Sequence, residues 1–341
     1  MPTIGVLLVN LGTPDSPSTP DVRKYLNEFL TDGRVIDVPW LQRQLLVRAF
    51  ITPFRAANSA KSYREIWNEK GSPLKYYGQE LAILVQKNLD KEQTGKYKVE
   101  LAMRYQSPDI KSGLDNLRKA GVSRYIILPL FPQYASASTG SVFQLVMETI
   151  SRWQNIPDIR FIQSYYNHTG FIGAFAEIGK QYEPNAYDHI LFSFHGLPQR
   201  QLIKGDDHAH CQQKKDCCHS IGTHNQSCYG AQCYATAHAL AEALHIPKEK
   251  YTICFQSRLG KDPWVEPYTS EVLKTLAAEG KKRLLVFCPA FVADCLETIF
   301  EVSVEYHEEF VHLGGEKVQL VESLNTHPLW VKVLCDMIYE A

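Results

Sequence analysis

Eight short apolar runs rich in β-branched residues recur along the chain, at residues 4–11, 99–105, 124–131, 160–166, 189–194, 251–257, 283–291 and 318–324. Runs of about 4 to 8 residues bounded by Gly, Pro or polar residues predict strands buried on both faces. Between them apolar positions recur at helical spacing, as over 113–120, 236–244 and 268–279. Strands alternating with helices predict βαβ units and parallel sheets, closed as one barrel or split into two four-stranded halves. An internal echo favours halves. Residues 123–150 and 281–306 share one plan of strand, Pro, aromatic and helix, with Pro129 and Phe131 matching Pro289 and Phe291. Two ordinary βα units can also match by chance. The boundary is expected near 150–160, where a Pro-containing stretch follows the helical pattern ending at Trp153.

Composition narrows the class. The 341 residues suffice for two domains, and 45% hydrophobic with 21% charged residues is a globular balance. A formal net charge of −1 gives no broad attraction to nucleic acid. The N-terminus enters a strand at once, without the basic region and cleavage site of a signal peptide. No apolar run reaches the roughly 18 residues that span a bilayer. A soluble, cytoplasmic protein is expected, in a compartment where clustered cysteines point to metal rather than disulfides. No G-x-G-x-x-G follows the first strand, and neither a phosphate loop nor a G-x-S-x-G elbow occurs, so nucleotide and serine-hydrolase sites are unsupported.

The chemistry lies in two places. His195 ends the apolar run 189–194, and in an open parallel sheet ligands bind beyond the strand ends. A hundred residues on, Asp294, Glu297, Glu301 and Glu305 fall at i, i+3, i+7 and i+11. On a helix all four share one face. A lone strand-end His can be a core residue, and an acidic stripe can be a solvated surface. Here the stripe follows the apolar strand end directly and leaves Leu296, Ile299, Phe300 and Val304 to pack the helix elsewhere. An imidazole beside carboxylates can accept protons, guide a divalent cation, or do both.

The motifs LLVNLGTP (7–14), YREIWNEKGSPL (63–74), MRYQSP (103–108), LPLFPQYASASTGS (128–141), SFHGLP (193–198), FQSRLGKDPWVEPYT (255–269) and CPAFVADCLETIFE (288–301) follow one another in an order that resembles ferrochelatases. The resemblance covers roughly residues 3 to 325. It implies a chelatase-like fold of two similar Rossmann-like halves, each a four-stranded parallel sheet flanked by helices. On this plan residues 1–155 and 156–315 form the halves, and 316–341 supply a strand and helix that pack back on the first. It also implies insertion of Fe²⁺ into protoporphyrin IX, the last step of haem biosynthesis, with the porphyrin in the cleft between the halves. His195 matches the family's active-site histidine and Glu297 its partner carboxylate. Asp294, Glu301 and Glu305 then form an ion or proton route. Leu11, Arg55, Tyr63, Ser72, Arg104, Tyr134, Trp264 and Phe291 match pocket or rim positions.

The residue types suit that reaction. Two pyrrole protons must leave as metal enters, and a neutral imidazole accepts protons near neutral pH. Carboxylates hold a hard, hydrated Fe²⁺ weakly enough to release it, whereas thiolates hold it too tightly. Aromatic and aliphatic side chains suit a flat macrocycle, and Arg55 and Arg104 suit its propionates or the pocket's acidic groups. Coproporphyrin III, or cobalt insertion into a related tetrapyrrole, is the nearest alternative within the class. A tetrapyrrole or metal carrier without catalysis has no need of a proton acceptor. A redox sensor is a third possibility, built on the cysteines.

Five of the nine cysteines lie between 211 and 233: Cys211, Cys217, Cys218, Cys228 and Cys233. Against the resemblance, 206–233 is an inserted segment, like that in which some bacterial ferrochelatases carry a [2Fe–2S] cluster. Four ligands are needed, with zinc or metal-free thiols as alternatives. Adjacent Cys217 and Cys218 are not expected both to bind, and Cys233 can belong to the older helix. Finally, residues 40–54 are apolar but interrupted by Arg43 and Arg48. They suit a core helix or one lying on a membrane surface, the latter allowing peripheral contact with the inner membrane or with the preceding pathway enzyme.

Overall fold

A computed structural model describes residues 3–214, 216–260 and 262–341. Eight parallel strands form two four-stranded sheets. The first contains β1 (Ile4–Gly12), β2 (Tyr97–Tyr105), β3 (Arg124–Pro129) and β4 (Asp158–Phe161), in the order β2-β1-β3-β4. The second contains β5 (His189–His195), β6 (Tyr251–Gln256), β7 (Arg283–Phe287) and β8 (Lys317–Leu320), in the order β6-β5-β7-β8. The central strands β1 and β5 are covered on both faces, as parallel sheets require, and Val6 to Val9 and Ile190 to Phe194 are buried throughout.

Helices pack these faces through their apolar stripes. Ile110, Leu114 and Leu117 of the helix Ile110–Lys119 meet Leu7, Val9 and Ile127 of the first sheet. Its start is fixed by Asp109, whose carboxylate accepts the Ser112 amide at 2.8 Å. In the second sheet Leu273 and Leu276, from Thr269–Ala278, pack with Leu191, Leu284 and Val286. Each such leucine contributes about 1.5–3 kcal/mol on burial.

The chain divides into two compact units. One comprises residues 1–131, 135–163 and 325–341, and the other 132–134 and 164–324. The divisions differ from the expected 155 and 315 because of strand pairing. β4 pairs with β3 and stays with the first unit, and β8 pairs with β7 and stays with the second. Of the last segment residues 325–341, which contain the helix Pro328–Glu340, join the first unit, where the Cys335 thiol donates to the Val85 carbonyl. The edge strands β4 and β8 are shorter than their apolar runs, whereas β2, the other edge of the first sheet, extends beyond its run to Tyr97. β7 stops at Phe287, just ahead of Pro289, which has no amide to donate.

The two units repeat one another in detail. Arg124 opens β3 and Arg283 opens β7. The strand registers then match Leu11-Gly12 with His195-Gly196, and Met103 with Phe255. The next turn is built alike, with Met103 N donating to Pro108 O at 2.6 Å and Phe255 N to Pro267 O at 2.9 Å. Five residues after Phe131 and Phe291 the chain enters a π-helix, at Ser136–Gly140 and Leu296–Tyr306. Gly12 ends β1 and Gly196 follows directly on β5. A Cβ at Gly12 would collide with the Tyr105 carbonyl, and one at Gly196 would lie 2.9 Å from the Gln256 carbonyl.

Candidate active site

His195 is the last residue of β5 and is half-buried. Its Nδ1 lies 2.6 Å from the Gly196 carbonyl oxygen. A carbonyl only accepts, so Nδ1 carries the proton, and the Nε2 lone pair of the neutral ring is left to accept another. Trp264 and Phe291 flank the ring, each with its centroid 6.4 Å away. From behind, the Tyr229 hydroxyl donates to the His195 carbonyl at 2.8 Å. Burial holds the Tyr229 phenol well above its usual range, so it remains a donor.

The carboxylates sit on wider coils than the α-helix their spacing suggests. The segment Leu296–Tyr306 is π-helical, with i→i+5 bonding, a geometry frequent at functional sites. Asp294 precedes it, buried. Its Oδ1 accepts the Thr298 hydroxyl at 3.1 Å and the Ser323 amide at 3.2 Å. Thr298 also accepts the Cys295 amide at 3.0 Å, which caps the helix start. Asp294 therefore lies off the helix face that 297, 301 and 305 share.

Along that face exposure rises. Glu297 and Glu301 are half-buried and Glu305 reaches the surface. The Cys295 thiol hydrogen-bonds to Glu297. Glu301 is the most tightly held of the set. Its oxygens accept Gln256 Nε2 at 2.9 Å, the Ser257 amide at 2.7 Å, the Ser257 hydroxyl at 2.6 Å and the Tyr306 hydroxyl at 2.9 Å. Burial, then the adjacent Glu301 charge, pushes the Tyr306 phenol far up, so it too stays a donor. Partial desolvation, then the Glu301 and Glu308 charges, raises Glu305. Gln256, Ser257, Tyr229 and Tyr306 went unread in the sequence. Gln256 alone left a local signal, as a polar residue closing a buried strand.

The first unit places its matched residues at the corresponding end of its own sheet. Leu11, the counterpart of His195, is half-buried. Ser72 is buried, its hydroxyl 2.8 Å from that of Thr13, and Tyr63 packs edge-on against Tyr25 and Trp67. Arg104 is committed to a neighbour the sequence did not suggest. One terminal nitrogen lies 2.6 Å from Asp32 Oδ2, and Nε donates to Ser141 Oγ at 2.6 Å. Tyr105 also donates to Asp32 at 2.9 Å. Arg55 is exposed, with no hydrogen bond or ion pair to any described residue. In the second unit Tyr134 is half-buried, its amide donating to Gln232 at 2.7 Å.

The cysteines separate into four and one. Cys217 and Cys218 Sγ are 3.7 Å apart. Cys211 hydrogen-bonds to Cys217, and Cys218 to Cys228. The Cys218 bond, with the Gly230 and Ala231 amides at the start of the helix Tyr229–Ala243, brings Cys228 below the usual thiol range. Burial, then the neighbouring thiols, pushes Cys211 up to about 12. A Cβ on Gly230 would lie 2.8 Å from Cys218 Sγ, so glycine there leaves room for the sulfur. Cys233 is fully buried and bonds to Tyr229 instead. Among the described residues no three His, Cys, Asp or Glu side chains surround a single point as a ready metal site, and the thiols form a chain of pairwise contacts.

Two four-stranded parallel sheets, each flanked by helices, define a chelatase-type α/β fold. SirB from Bacillus subtilis with Fe³⁺ shares it, at TM-score 0.55 and 13% identity over 99% of this chain and 95% of that one. The sirohydrochlorin chelatase SirB in complex with cobalt does so at TM-score 0.52 and 12% identity. The ferrochelatase family model matches residues 3–341. The chain is 44% identical over 336 residues to the ferrochelatase of Legionella pneumophila (strain Paris), covering 98% of each. It is 41% identical to that of Coxiella burnetii (strain Dugway), over 98% of this chain and 92% of that one. The chain belongs to the ferrochelatase family, enzymes of haem biosynthesis that insert iron into a porphyrin.

Proposed function

We propose that the chain inserts Fe²⁺ into protoporphyrin IX, with His195 Nε2 taking the pyrrole protons and Glu297 as its partner carboxylate. The observation that carries this is the Nδ1 bond to the Gly196 carbonyl, which leaves Nε2 as the free base. As each pyrrole N–H transfers its proton to Nε2, the nitrogen lone pair becomes available to the metal, and two protons leave for each ion inserted. The Glu297 charge stabilises the imidazolium formed. Glu305 and Glu297 carry ions or protons between surface and base. Glu301 lies between them as a fixed charge, its oxygens already filled. Asp294 supports the route from the capping turn.

Leu11, Tyr63, Ser72, Tyr134, Trp264 and Phe291 are proposed to contact the macrocycle. Arg55, exposed and unpaired among the described residues, meets a propionate. Arg104, already paired, contributes through Asp32. Anaerobic insertion assays with protoporphyrin IX and coproporphyrin III offered separately test the substrate. Faster turnover with protoporphyrin IX is expected, and turnover confined to coproporphyrin III would replace it with the second reading.

Cys211, Cys217, Cys218 and Cys228 are proposed to hold a [2Fe–2S] cluster, with Cys233 outside the set. The 3.7 Å approach of Cys217 and Cys218 Sγ, with Cys211 and Cys228 beside them, supports a group that takes two thiolates on each iron. Both adjacent cysteines belong to the chain of contacts and are included in the proposed set, in place of the expectation that only one of them binds. When bound, such a cluster supplies one-electron redox chemistry, and no step of insertion is assigned to it. Protein purified without oxygen should contain about two irons and two acid-labile sulfides per chain. Cys228→Ala should lose both, while Cys233→Ala keeps them. A cluster that survives Cys228→Ala, or zinc in its place, would contradict the assignment.

A peripheral membrane contact is also proposed, for an otherwise cytoplasmic protein. No helix among the described residues is long and apolar enough to cross a membrane. The residues from 40 to 54 nevertheless do not form the buried helix that base rates favour. Trp40, Leu41, Leu45, Phe50 and Phe54 are 61–77% exposed, and Arg48 is exposed among them. Arg43 instead donates to the Thr31, Ile36 and Val38 carbonyls and pins the segment. Such a face suits the bilayer interface. The protein should sediment with anionic vesicles, and Phe50→Ser with Phe54→Ser should weaken this. Equal sedimentation of the double variant would sink the proposal.

A further inference from the structure

We propose that Gln256 is a positioning residue that fixes Glu297 relative to His195, an inference that rests on the roles given to that pair above. Gln256 closes β6 with its side chain in the interior, only 1% exposed. Its backbone lies opposite His195 in the parallel register, and its carbonyl accepts the Gly196 amide at 2.8 Å. Its side chain reaches the π-helix. Nε2 donates to the Glu297 carbonyl at 2.8 Å and to Glu301 Oε2 at 2.9 Å. Oε1 accepts the Ser193 hydroxyl at 2.8 Å and the Cys288 thiol at 3.6 Å. The orientation is unambiguous, since the Glu297 carbonyl and the Glu301 carboxylate only accept.

One buried amide thus uses both its donors and both its acceptors. It ties the strand that carries the base to the helix that carries the partner carboxylate. Glu301 anchors the far side, held by Ser257 and Tyr306, so the amide meets a fixed charge. Among the described residues the first unit makes only one of these two contacts at matching positions. There Arg104 Nε reaches Ser141, the counterpart of Glu301, while Leu11 and Ala137 stand where the second unit has His195 and Glu297. The bond to the backbone carbonyl of the first π-helical turn is made by Gln256 in the second unit, where it falls on Glu297. Without the donor the Glu297 carbonyl loses its tie to β6 while Glu301 keeps Ser257 and Tyr306, so the first π-helical turn shifts, and Glu297 with it. Misplacement of a reacting group by an ångström costs about a hundredfold in rate.

The test is a double-mutant cycle on the whole protein, read by anaerobic Fe²⁺ insertion. Gln256→Met should lower kcat by about 10- to 100-fold and leave KM for porphyrin within about twofold. Combined with Glu297→Ala it should add less than about a threefold further loss, because its effect passes through Glu297. Losses that multiply in the double variant would mark a general structural role and overturn the proposal, as would wild-type kcat in Gln256→Met. If Gln256→Met does not fold, as judged by near-ultraviolet circular dichroism, Gln256→Glu carries the same prediction. It keeps the shape and loses the donor. Wild-type turnover by Glu297→Ala would instead overturn the underlying reading of the pair, and the role of Gln256 with it.

Discussion

His195→Ala should lose iron insertion by about two to four orders of magnitude while binding porphyrin nearly as well as the wild type. The ring is built to accept a proton. Its Nδ1–H is spent on the Gly196 carbonyl, and Tyr229 holds the residue's own carbonyl from behind. Removing the imidazole removes the proposed acceptor for both pyrrole protons. Trp264 and Phe291, the apolar surfaces beside it, stay in place. The loss should fall on kcat, followed by metalloporphyrin absorbance, with affinity followed by porphyrin fluorescence. Unchanged turnover would remove the base from the account. A loss of affinity equal to the loss of rate would make His195 a binding residue.

The second large effect is on stability. Arg104→Ala should destabilise the first unit by about 3–5 kcal/mol, the usual cost of leaving one partner of a buried pair uncompensated. The two side chains are 16% and 9% exposed, so water replaces little of what is lost. Burial works to raise the Asp32 carboxyl. The Ser141 hydroxyl, the Arg34 amide, Arg104 and the Tyr105 hydroxyl outweigh it and bring the group below 3.8. A depressed carboxyl contributes stability that is present above its unfolded value and lost as pH falls through the folded one. The gap between wild type and variant should therefore be full at neutral pH and close below about pH 3.8. Urea denaturation at several pH values measures it. A gap that is absent at pH 7, or that widens in acid, would show that Arg104 is not the structural ion the geometry describes.

Sequence patterns disclosed the sheets and singled out His195 for the same reason. Buried parallel strands leave long apolar runs, and a polar residue that closes one, such as His195, stands out. The carboxylate spacing marked one face, but a period of three to four residues does not reveal the wider π-helix, nor that Asp294 lies ahead of it. Contacts between residues distant in sequence left no local trace. Asp32 meets Arg104 from 72 residues away, and Gln256 meets Glu301 from 45. That Cys233 can stand apart from the other four was legible, but what separates it was not, because the division depends on a helix starting at Tyr229. That start holds Cys228 at its cap and turns Cys233 inward. For the segment after Trp40, composition allowed both a buried and an exposed helix, and tertiary packing decided for exposure.

Iron is proposed to enter the porphyrin at His195 and Glu297. Anomalous scattering from a crystal soaked anaerobically with Fe²⁺ and collected at the iron edge tests this most directly. A peak is expected within bonding distance of His195 Nε2 or a Glu297 carboxylate oxygen, absent from crystals of the His195→Ala, Glu297→Ala double variant. A peak elsewhere on the chain, apart from the four-cysteine segment, with none beside His195 would contradict it.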